Sequence, residues 1–423
     1  MRIFTCAHCH NTVFFESVRC IHCGESLAYF PKHSVVTSIE PLPDNGADGA
    51  PILYKAGDPS ISGTYRLCAN SADYGVCNSA VPADDPDTLC EACRLNDVIP
   101  DLVDDDTLSA WQSLERAKRR LLFSLHELGL PIESRAARPN GLQFSFMKDM
   151  PDSKVFTGHT DGLITINIDE ANDPLREKLR KQLGESYRTV LGHFRHEIGH
   201  YYWDRLVKGT PWQAPYRLLF GDESVDYAES VQRHYAEGAP HDWPQHYVSS
   251  YATMHPWEDW AETWAHYMHL VDTLETAQAL GLVLRPKPVG GPRAAPVSLG
   301  SIDFRDFDAL LDAWVPVTVA LNSLNRSMGV IDPYPFVLCD DVIAKVRFVH
   351  DMITYWAADV AVQTPIIEAW TARATPALTE QPAGAEPPVP RKPTGTQAET
   401  QPPPRIVATK QPPQTTGIAA KSG

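Results

Sequence analysis

Eight of the nine cysteines lie before residue 94, and this crowding constrains the fold more than any other feature of the sequence. The first four form two C-x2-C pairs separated by ten residues, and they are Cys6, Cys9, Cys20 and Cys23. Two such pairs can close on one tetrahedral ion around a short β-hairpin, here predicted in TVFFES at residues 12–17. This spacing predicts a zinc ribbon, with a rubredoxin-like iron site as the main alternative.

The second set of cysteines contains only one C-x2-C pair and comprises Cys68, Cys77, Cys90 and Cys93. We predict a second structural four-thiolate zinc site, and the alternative is a small hydrophobic cluster with one labile cysteine pair. Cysteines grouped in this way are typical of a reducing compartment. The chain opens with MRIFTCAHC, which lacks an apolar signal-peptide core, and no run of about 18 apolar residues follows. The expected location is therefore cytoplasmic, without a membrane span.

The charge of the cysteine-rich region argues against nucleic-acid binding. The whole chain carries a formal charge of −16, and its first hundred residues hold six Lys or Arg against twelve Asp or Glu. Such a balance repels a phosphate backbone, so no nucleic-acid partner is expected.

The residue composition and the hydrophobic pattern of the sequence change near residue 100 and again near 370. We predict a zinc-ribbon region at 1–100, a main domain at 101–370 and a proline-rich, disordered tail at 371–423.

Periodicity in the main domain predicts an α+β fold that is mainly helical with a small sheet, preceded by a small β-rich module. A long helix is expected after residue 105, with Asp106 or Thr107 as N-cap and a stop at Gly129 and Pro131. LQFSFM and GLITINI (162–168) are typical of strands, and the second alternates Ile164, Ile166 and Ile168 inward with Thr165 and Asn167 outward. Residues 41–63 are typical of a loop-rich connector. Further helices are predicted at about 175–206, 222–236, 257–280, 304–328 and 340–370.

One of these predicted helices carries the sequence HFRHEIGHYYWD. His196 and His200 are four residues apart, so both imidazoles project from one helix face and can share one ion. Glu197 lies beside them and is placed to act as a general base without binding the ion. This is the HExxH arrangement of a catalytic zinc site. Gly199 is expected to leave room beside the metal.

A catalytic zinc needs a third protein ligand and one open position. The segment SYATMHPWEDWAETWAHYMHLVD supplies carboxylates on a second predicted helix, at Glu258, Asp259 and Glu262. We favour Glu258 as third ligand, with Glu262 and then Asp204 as alternatives; a carboxylate that does not bind would orient a ligating histidine. Three further histidines near these helix faces are expected to be hydrogen-bonded neighbours, namely His193, His266 and His269.

The chain resembles a bacterial family of zinc-binding metallopeptidases that carry an N-terminal zinc-ribbon region. The resemblance rests on FTCAHCHNTVFFESVRCIHCGESLAYF, LGHFRHEIGHYYWDRLV and HPWEDWAETWAHYMHLVDTLETA, and it covers residues 1 to about 370. It implies a zincin-like domain with zinc as cofactor, one catalytic ion, one or two structural ions, and a peptide or protein substrate.

A shorter stretch, SYATMHPWEDWAE, is similar to the third-ligand region of the anthrax lethal factor type of zincin. That similarity implies that Glu258 binds zinc and that Tyr251, seven residues earlier, assists catalysis. A phenol near the zinc could donate to a developing oxyanion. The alternative is that Tyr251 only packs on the next helix.

The functional hypothesis is therefore zinc-dependent hydrolysis of peptide bonds by His196, His200 and Glu258 with Glu197 as base. By analogy with zincins, the strand at 162–168 is expected to form the sheet edge along which a substrate adds. One rival is an interaction module with an inactive HExxH site, which would recruit a protein partner through the ribbon or the proline-rich tail. Another is a zinc hydrolase acting on a different amide or ester. The aromatic-rich run at 201–230 is expected either to line the substrate cleft or, as is more usual for an aromatic cluster, to belong mainly to the core.

Overall fold

The N-terminal cysteine-rich region opens with a short hairpin around the first C-x2-C pair. The computed structural model describes residues 2–43, 51–102, 104–150, 152–172, 176, 189–287, 297–300, 302–358 and 360–380. Strand β1 (Phe4–Thr5) pairs with β2 (Thr12–Val13) in antiparallel fashion. The hairpin predicted within residues 12–17 is therefore wrong in its pairing. Strand β2 pairs with the preceding strand β1, and the turn between them contains Cys6 and Cys9.

The segment between the two cysteine sets forms a five-stranded antiparallel sheet in the order β3-β4-β5-β6-β7. Its strands are β3 (Leu27–Phe30), β4 (Val35–Pro41), β5 (Leu53–Ala56), β6 (Tyr65–Leu67) and β7 (Ala80–Pro82). Residues 41–63 were predicted to be a loop, and this was wrong at β5. Its four residues are too few to show a clear alternation of polar and apolar side chains. Residues 44–50 lie outside the described part. Two one-turn helices follow cysteines of the second set, α1 (Ala69–Ala72) and α2 (Glu91–Arg94).

The long helix α3 (Asp105–Glu127) joins the cysteine-rich region to the rest of the chain. Its N-cap is Asp104, whose side chain accepts a hydrogen bond from Thr107 N at 2.7 Å, so the predicted cap at Asp106 or Thr107 was two to three residues late. Three acidic residues stand next to one another here, and each is a suitable N-cap as far as the sequence shows. Only the backbone geometry distinguishes them.

A second sheet contains β8 (Asn96–Val98), β9 (Gln143–Met147), β10 (Gly158–Thr160) and β11 (Leu163–Asn167). The order is β10-β11-β9-β8, with β10 antiparallel to β11 and the other pairs parallel. Ile164 and Ile166 are buried against the main core, as the alternation predicted. Strand β11 is not the edge of the sheet, however. The tight turn at Asp161 and Gly162 leads into β11 from β10, and β10 pairs with β11 on the side away from β9.

The helical part follows this sheet. Its helices are α4 (Val190–Tyr202), α5 (Gln213–Phe220), α6 (Tyr227–Glu237), α7 (Pro256–Ala279), α8 (Phe307–Ser327), α9 (Asp340–Ala357) and α10 (Val360–Glu380). The α+β class is confirmed. Helix α5 was missed, and the helix predicted at 340–370 is two helices separated near Ala358, where the backbone becomes extended.

Two short strands pair in antiparallel fashion between α7 and α8, β12 (Val283–Leu284) and β13 (Val297–Ser298). No helix in the described residues is long and apolar enough to span a membrane. Helix α10 continues ten residues past the boundary predicted at 370, and residues 381–423 of the predicted tail lie outside the described part. The predicted helical stretch at 175–188 also lies outside it, apart from Arg176.

Candidate metal centre

Helix α4 carries the two histidines on the face that packs against α7. The Thr189 side chain caps its first turn by accepting a hydrogen bond from Gly192 N at 3.0 Å. Phe194 and Ile198 are buried in the main core. Gly199 lies against α7, where an added Cβ would be 3.1 Å from Trp264 Cβ and 3.2 Å from Ala261 Cα. The space at Gly199 therefore accommodates the neighbouring helix, and the expectation that it serves the metal was wrong.

The first turn of α7 holds the carboxylates. His255 is its N-cap and accepts a hydrogen bond from Trp257 N at 3.0 Å through Nδ1, and Pro256 occupies the first helical position, where its missing N–H costs nothing. Trp260 Nε1 donates to Gly199 O at 2.8 Å and so fixes α7 against α4. This arrangement buries Glu258 opposite the two histidines.

Three donor atoms converge between α4 and α7. His196 Nε2 lies 3.2 Å from His200 Nε2 and 3.0 Å from Glu258 Oε2, and His200 Nε2 lies 3.5 Å from the same oxygen. Zinc bonds of about 2.0–2.1 Å at tetrahedral angles require ligand atoms about 3.3 Å apart. The triangle fits one zinc ion, and the geometry matches the predicted ligand set of His196, His200 and Glu258.

The outer ring nitrogen of His196 has a carboxylate partner. His196 Nδ1 lies 2.8 Å from Glu262 Oε1, and Ser249 Oγ donates to the other oxygen of Glu262 at 2.6 Å. A proton on Nδ1 would direct the Nε2 lone pair toward the other two donor atoms, which is the arrangement that metal-binding histidines usually have. His200 is held differently, because its ring packs on Trp257 with the ring centroids 3.9 Å apart.

Glu197 is buried beside these residues but does not belong to the three-donor group. Burial raises the pKa of its carboxyl, and the neighbouring His196 opposes this rise only in part. The Glu197 carboxylate therefore lies beside the three donor atoms without being one of them, and its affinity for a proton is raised.

Two tyrosines border the centre. The Tyr251 ring centroid is 5.8 Å from that of His196, and burial raises the pKa of its phenol well above the usual value. Tyr227, at the start of α6, donates its phenol proton to Glu258 Oε1 at 2.8 Å. Burial, followed by the Glu258 charge, raises the pKa of the Tyr227 phenol, which keeps it a donor. Sequence reasoning missed Tyr227, although it lies in the aromatic-rich run that was taken mainly as core.

Two predicted carboxylates lie elsewhere. Asp204 pairs with Lys208 Nζ at 3.1 Å, because α4 passes into a π-helical segment at Trp203–Val207 and the four-residue spacing from His200 no longer gives a shared face. Asp259 pairs with buried Lys345 at 2.6 Å, and burial nevertheless raises the pKa of its carboxyl to about 7.

The remaining histidines have partners of their own. His266 Nδ1 lies 2.9 Å from Tyr334 OH, and His269 Nδ1 lies 2.6 Å from Arg195 Nη1. His193 Nδ1 lies 3.4 Å from a carboxylate oxygen of Glu170. None of the three belongs to the donor triangle in the described residues, in agreement with the sequence argument.

Eight of the nine cysteines form two groups of four. Measured Sγ to Sγ distances are 3.8 Å for Cys6 and Cys23, 3.6 Å for Cys9 and Cys20, and 3.7 Å for Cys77 and Cys90. Zinc–thiolate bonds of about 2.3 Å at tetrahedral angles place the sulfurs about 3.8 Å apart, whereas a disulfide needs about 2.05 Å. Both groups therefore have the dimensions of four-thiolate metal sites.

Two family models and several relatives match the chain. A family model described as "Putative zinc-binding metallo-peptidase" matches residues 107–352, and a model described as a zinc-ribbon domain matches residues 3–104. Uncharacterized proteins of Mycobacterium tuberculosis and Mycobacterium bovis are 39% identical to the chain over 361 residues, which is 85% of this chain and 97% of each relative. No solved structure matches.

Proposed function

The chain belongs to the zinc-binding metallopeptidase family that matches residues 107–352, and from this premise we propose that it hydrolyses peptide bonds at the centre formed by His196, His200 and Glu258. The observation that carries the proposal is the triangle of donor atoms, whose sides of 3.0, 3.2 and 3.5 Å suit one tetrahedral zinc ion.

The number of donors supports catalysis over a purely structural role. Within the described residues the group has three members, which leaves a fourth tetrahedral position for water or substrate. Structural zinc sites are closed by four protein ligands, whereas catalytic sites keep one position open. This favours a hydrolase over an interaction module with an inactive centre.

The residues around the centre divide the chemistry between them. Zinc held by His196, His200 and Glu258 would supply a Lewis acid that polarises the scissile carbonyl and makes a water molecule more acidic. Glu197 takes the proton of the attacking water and passes it to the leaving amine. Glu262 holds the His196 ring through Nδ1 at 2.8 Å, so that Nε2 stays directed at the donor triangle, where zinc would be held.

Tyr251 is proposed to stabilise the negative charge that develops on the carbonyl oxygen. Its ring lies beside His196, and its raised phenol pKa keeps the proton available for a hydrogen bond. A donor placed where charge develops contributes about 3–4 kcal/mol to lowering the barrier.

The substrate is proposed to be an extended peptide that pairs with β10. Within the described residues β10 is the edge of its sheet, and the ring of its His159 lies 6.5 Å from that of His200. An edge strand offers backbone donors and acceptors to an added strand. This role replaces the one expected for residues 162–168.

The two cysteine groups are proposed to hold one structural zinc ion each, giving one catalytic and two structural ions. Their sulfur separations support this assignment. Thiolates kept for metal binding suit a reducing compartment, and we propose a cytoplasmic location on that basis.

The proposal is tested with two variants of the full chain. Glu197→Gln should keep the zinc bound by His196 and His200 but lower peptide hydrolysis by about 10²- to 10⁴-fold, because only the base is lost. His196→Ala should lose one zinc ion per chain and all activity. Zinc content is measured by elemental analysis, and cleavage by mass spectrometry.

The outcomes separate the candidate functions. Full activity in Glu197→Gln would contradict the mechanism. Retention of all zinc in His196→Ala would contradict the ligand set. Zinc loss in His196→Ala without cleavage of any peptide by the wild type would favour a hydrolase that acts on another amide or an ester.

A further inference from the structure

The two oxygens of Glu258 have different partners. Oε2 is the atom at the corner of the donor triangle, 3.0 Å from His196 Nε2 and 3.5 Å from His200 Nε2. Oε1 accepts the phenol proton of Tyr227 at 2.8 Å. A carboxylate with both oxygens free can bind a metal through one atom or through two, and a hydrogen bond to one oxygen favours binding through the other.

The position of Tyr227 is fixed by contacts at the start of α6. Asp226 caps this helix by accepting a hydrogen bond from Glu229 N at 2.8 Å. His255 Nε2 lies 3.2 Å from Val225 O, and the Tyr227 and His255 ring centroids are 5.3 Å apart with an edge-to-face orientation. His255 also caps α7 through Nδ1. One histidine thus joins the segment that carries Tyr227 to the turn that carries Glu258.

We propose that Tyr227 is a positioning residue that restricts Glu258 to single-oxygen coordination of the metal and thereby keeps the fourth ligand position open. The inference rests on the proposed function, because it assumes that His196, His200 and Glu258 hold one ion. It assigns Tyr227 a role separate from that of Tyr251, whose ring borders His196 instead.

The test is Tyr227→Phe in the full chain, which removes the hydroxyl group and keeps the ring. Zinc affinity at the centre should fall by about 10- to 100-fold, as is usual when the outer partner of a ligand is removed. Competition with a chelator measures this affinity, and the His196→Ala variant defines the zinc that remains in the cysteine groups.

A spectroscopic readout reports the coordination directly. The His196-dependent ion is exchanged for Co²⁺ while the cysteine groups keep zinc, and the His196→Ala spectrum is subtracted. Four-coordinate Co²⁺ absorbs visible light more strongly than five-coordinate Co²⁺. The wild type should give the stronger absorption, and Tyr227→Phe a weaker one, because freed Oε1 becomes an additional ligand.

Two controls use the same Tyr-to-Phe change. Tyr251→Phe should lower turnover but keep the Co²⁺ spectrum and the zinc affinity of the wild type. Tyr74→Phe, at an exposed tyrosine whose ring packs on Trp111 in α3, should change neither. Thermal unfolding checks that each variant folds.

An unchanged Co²⁺ spectrum in Tyr227→Phe, with or without weaker metal binding, would overturn the inference. A wild type without any His196-dependent metal would refute the proposed centre itself, and the inference with it. Absence of peptidase activity in a wild type that binds the metal normally would count against the proposed function alone.

Discussion

Each carboxylate oxygen of Glu258 and Glu262 has a separate contact. Glu258 faces the two histidines with one oxygen and Tyr227 with the other. Glu262 faces His196 Nδ1 and Ser249 Oγ. These contacts hold the donor atoms at ligand distance from one another, which is the arrangement that the proposed zinc centre requires.

The first prediction at this scale concerns Glu262. Glu262→Ala removes the acceptor for His196 Nδ1–H, and zinc affinity should fall by about 10- to 100-fold. Glu262→Gln can still accept this hydrogen bond through its amide oxygen and should lose less. Chelator competition ranks the two variants. Equal affinities for Ala and Gln would show that the hydrogen bond does not orient the ring.

The second prediction concerns pH and His266. The ring is buried against Tyr334 and Phe336, and burial lowers the pKa of His266 from 6.5 to about 4, with nearby Glu262 opposing and Arg195 supporting the shift. The unfolded chain therefore binds a proton in this window that the folded chain does not, so stability is present above pH 6.5 and falls as pH falls toward 4.

Between pH 7 and pH 5 this residue should remove about 2 kcal/mol from the free energy of unfolding. His266→Gln lacks the titrating ring and should show a correspondingly weaker decrease. Urea unfolding of both proteins at the two pH values gives the change in the free energy of unfolding for each. Subtracting one change from the other cancels the contributions of the other titrating groups. Parallel pH profiles would contradict the prediction.

Residue spacing was enough to predict that His196 and His200 share one helix face, because a four-residue separation on a helix fixes which side chains lie together. Glu258 was one of several candidate carboxylates, and its choice was supported by the resemblance to the lethal factor type of zincin. The same argument failed for Asp204, since the helix widens at Trp203–Val207. Tyr227 could not be assigned, because its contact with Glu258 depends on how α6 approaches α7. That approach is set by tertiary contacts of His255 and Val225.

Among the helices, the pairing of α4 with α7 determines the geometry of the donor triangle, since each helix supplies part of it. The close approach occurs at Gly199, which faces Ala261 and Trp264. Trp260 Nε1 donates to the Gly199 carbonyl at the same crossing. A change in the separation of these helices would therefore change the distance from Glu258 to the histidines.

Gly199→Ala tests this dependence. The added Cβ would meet Ala261 Cα at 3.2 Å, so the helices must separate slightly. We expect a loss of about 1–3 kcal/mol in the free energy of unfolding, despite the better helix propensity of alanine, together with weaker zinc binding. Urea unfolding and chelator competition measure the two effects.

Gly300→Ala is the matched control, because its Cβ would meet only Ser298 Oγ at 3.8 Å, an ordinary contact. It should leave zinc binding unchanged. If Gly199→Ala were as stable and bound zinc as tightly as this control, the close helix pairing would have no part in the metal geometry.

Long periodic elements were predicted well and short ones were not. Helices α4 and α7 and strands β9 and β11 carry enough turns or alternations to be recognised. Alternation along β11 correctly indicated its buried face, but it does not reveal whether a strand is central or at an edge. That depends on β10, which has only three residues.

The cysteine-rich region packs directly on α3. Phe15 contacts Phe123 with ring centroids 5.0 Å apart, and Asn78 donates to Phe15 O at 2.5 Å and accepts from Arg119. Phe123 belongs to the hydrophobic cluster of the first cysteine group. At the scale of the whole molecule, the described elements up to residue 379 therefore form one compact unit.

Loss of a structural ion should consequently destabilise more than the cysteine region. Cys77→Ser should remove one zinc ion per chain and lower the temperature of the main unfolding transition, because metal binding to such groups is coupled to folding. Calorimetry and elemental analysis measure both effects. Cys339→Ser changes a cysteine outside both groups and should retain all zinc. Full zinc content in Cys77→Ser would contradict the second site.

Cysteine spacing predicted both thiolate groups. Four ligands of one ion must lie close in space, and this holds for any conformation of the residues between them. It could not predict the five-stranded sheet between them, whose strands of three to seven residues pair over variable loops. Nor could it predict the packing on α3, which depends on contacts between residues about a hundred positions apart, such as Phe15 and Phe123.

The central claim is that the centre on α4 and α7 cleaves peptide bonds. The most direct measurement is digestion of an unbiased peptide library by the zinc-loaded full chain and by Glu197→Gln, with products identified by mass spectrometry. We predict cleavages that the wild type makes and the variant does not, and the residues around them would define the specificity. The same cleavages from both proteins, or none from a wild type shown to hold the His196-dependent zinc ion, would contradict the claim.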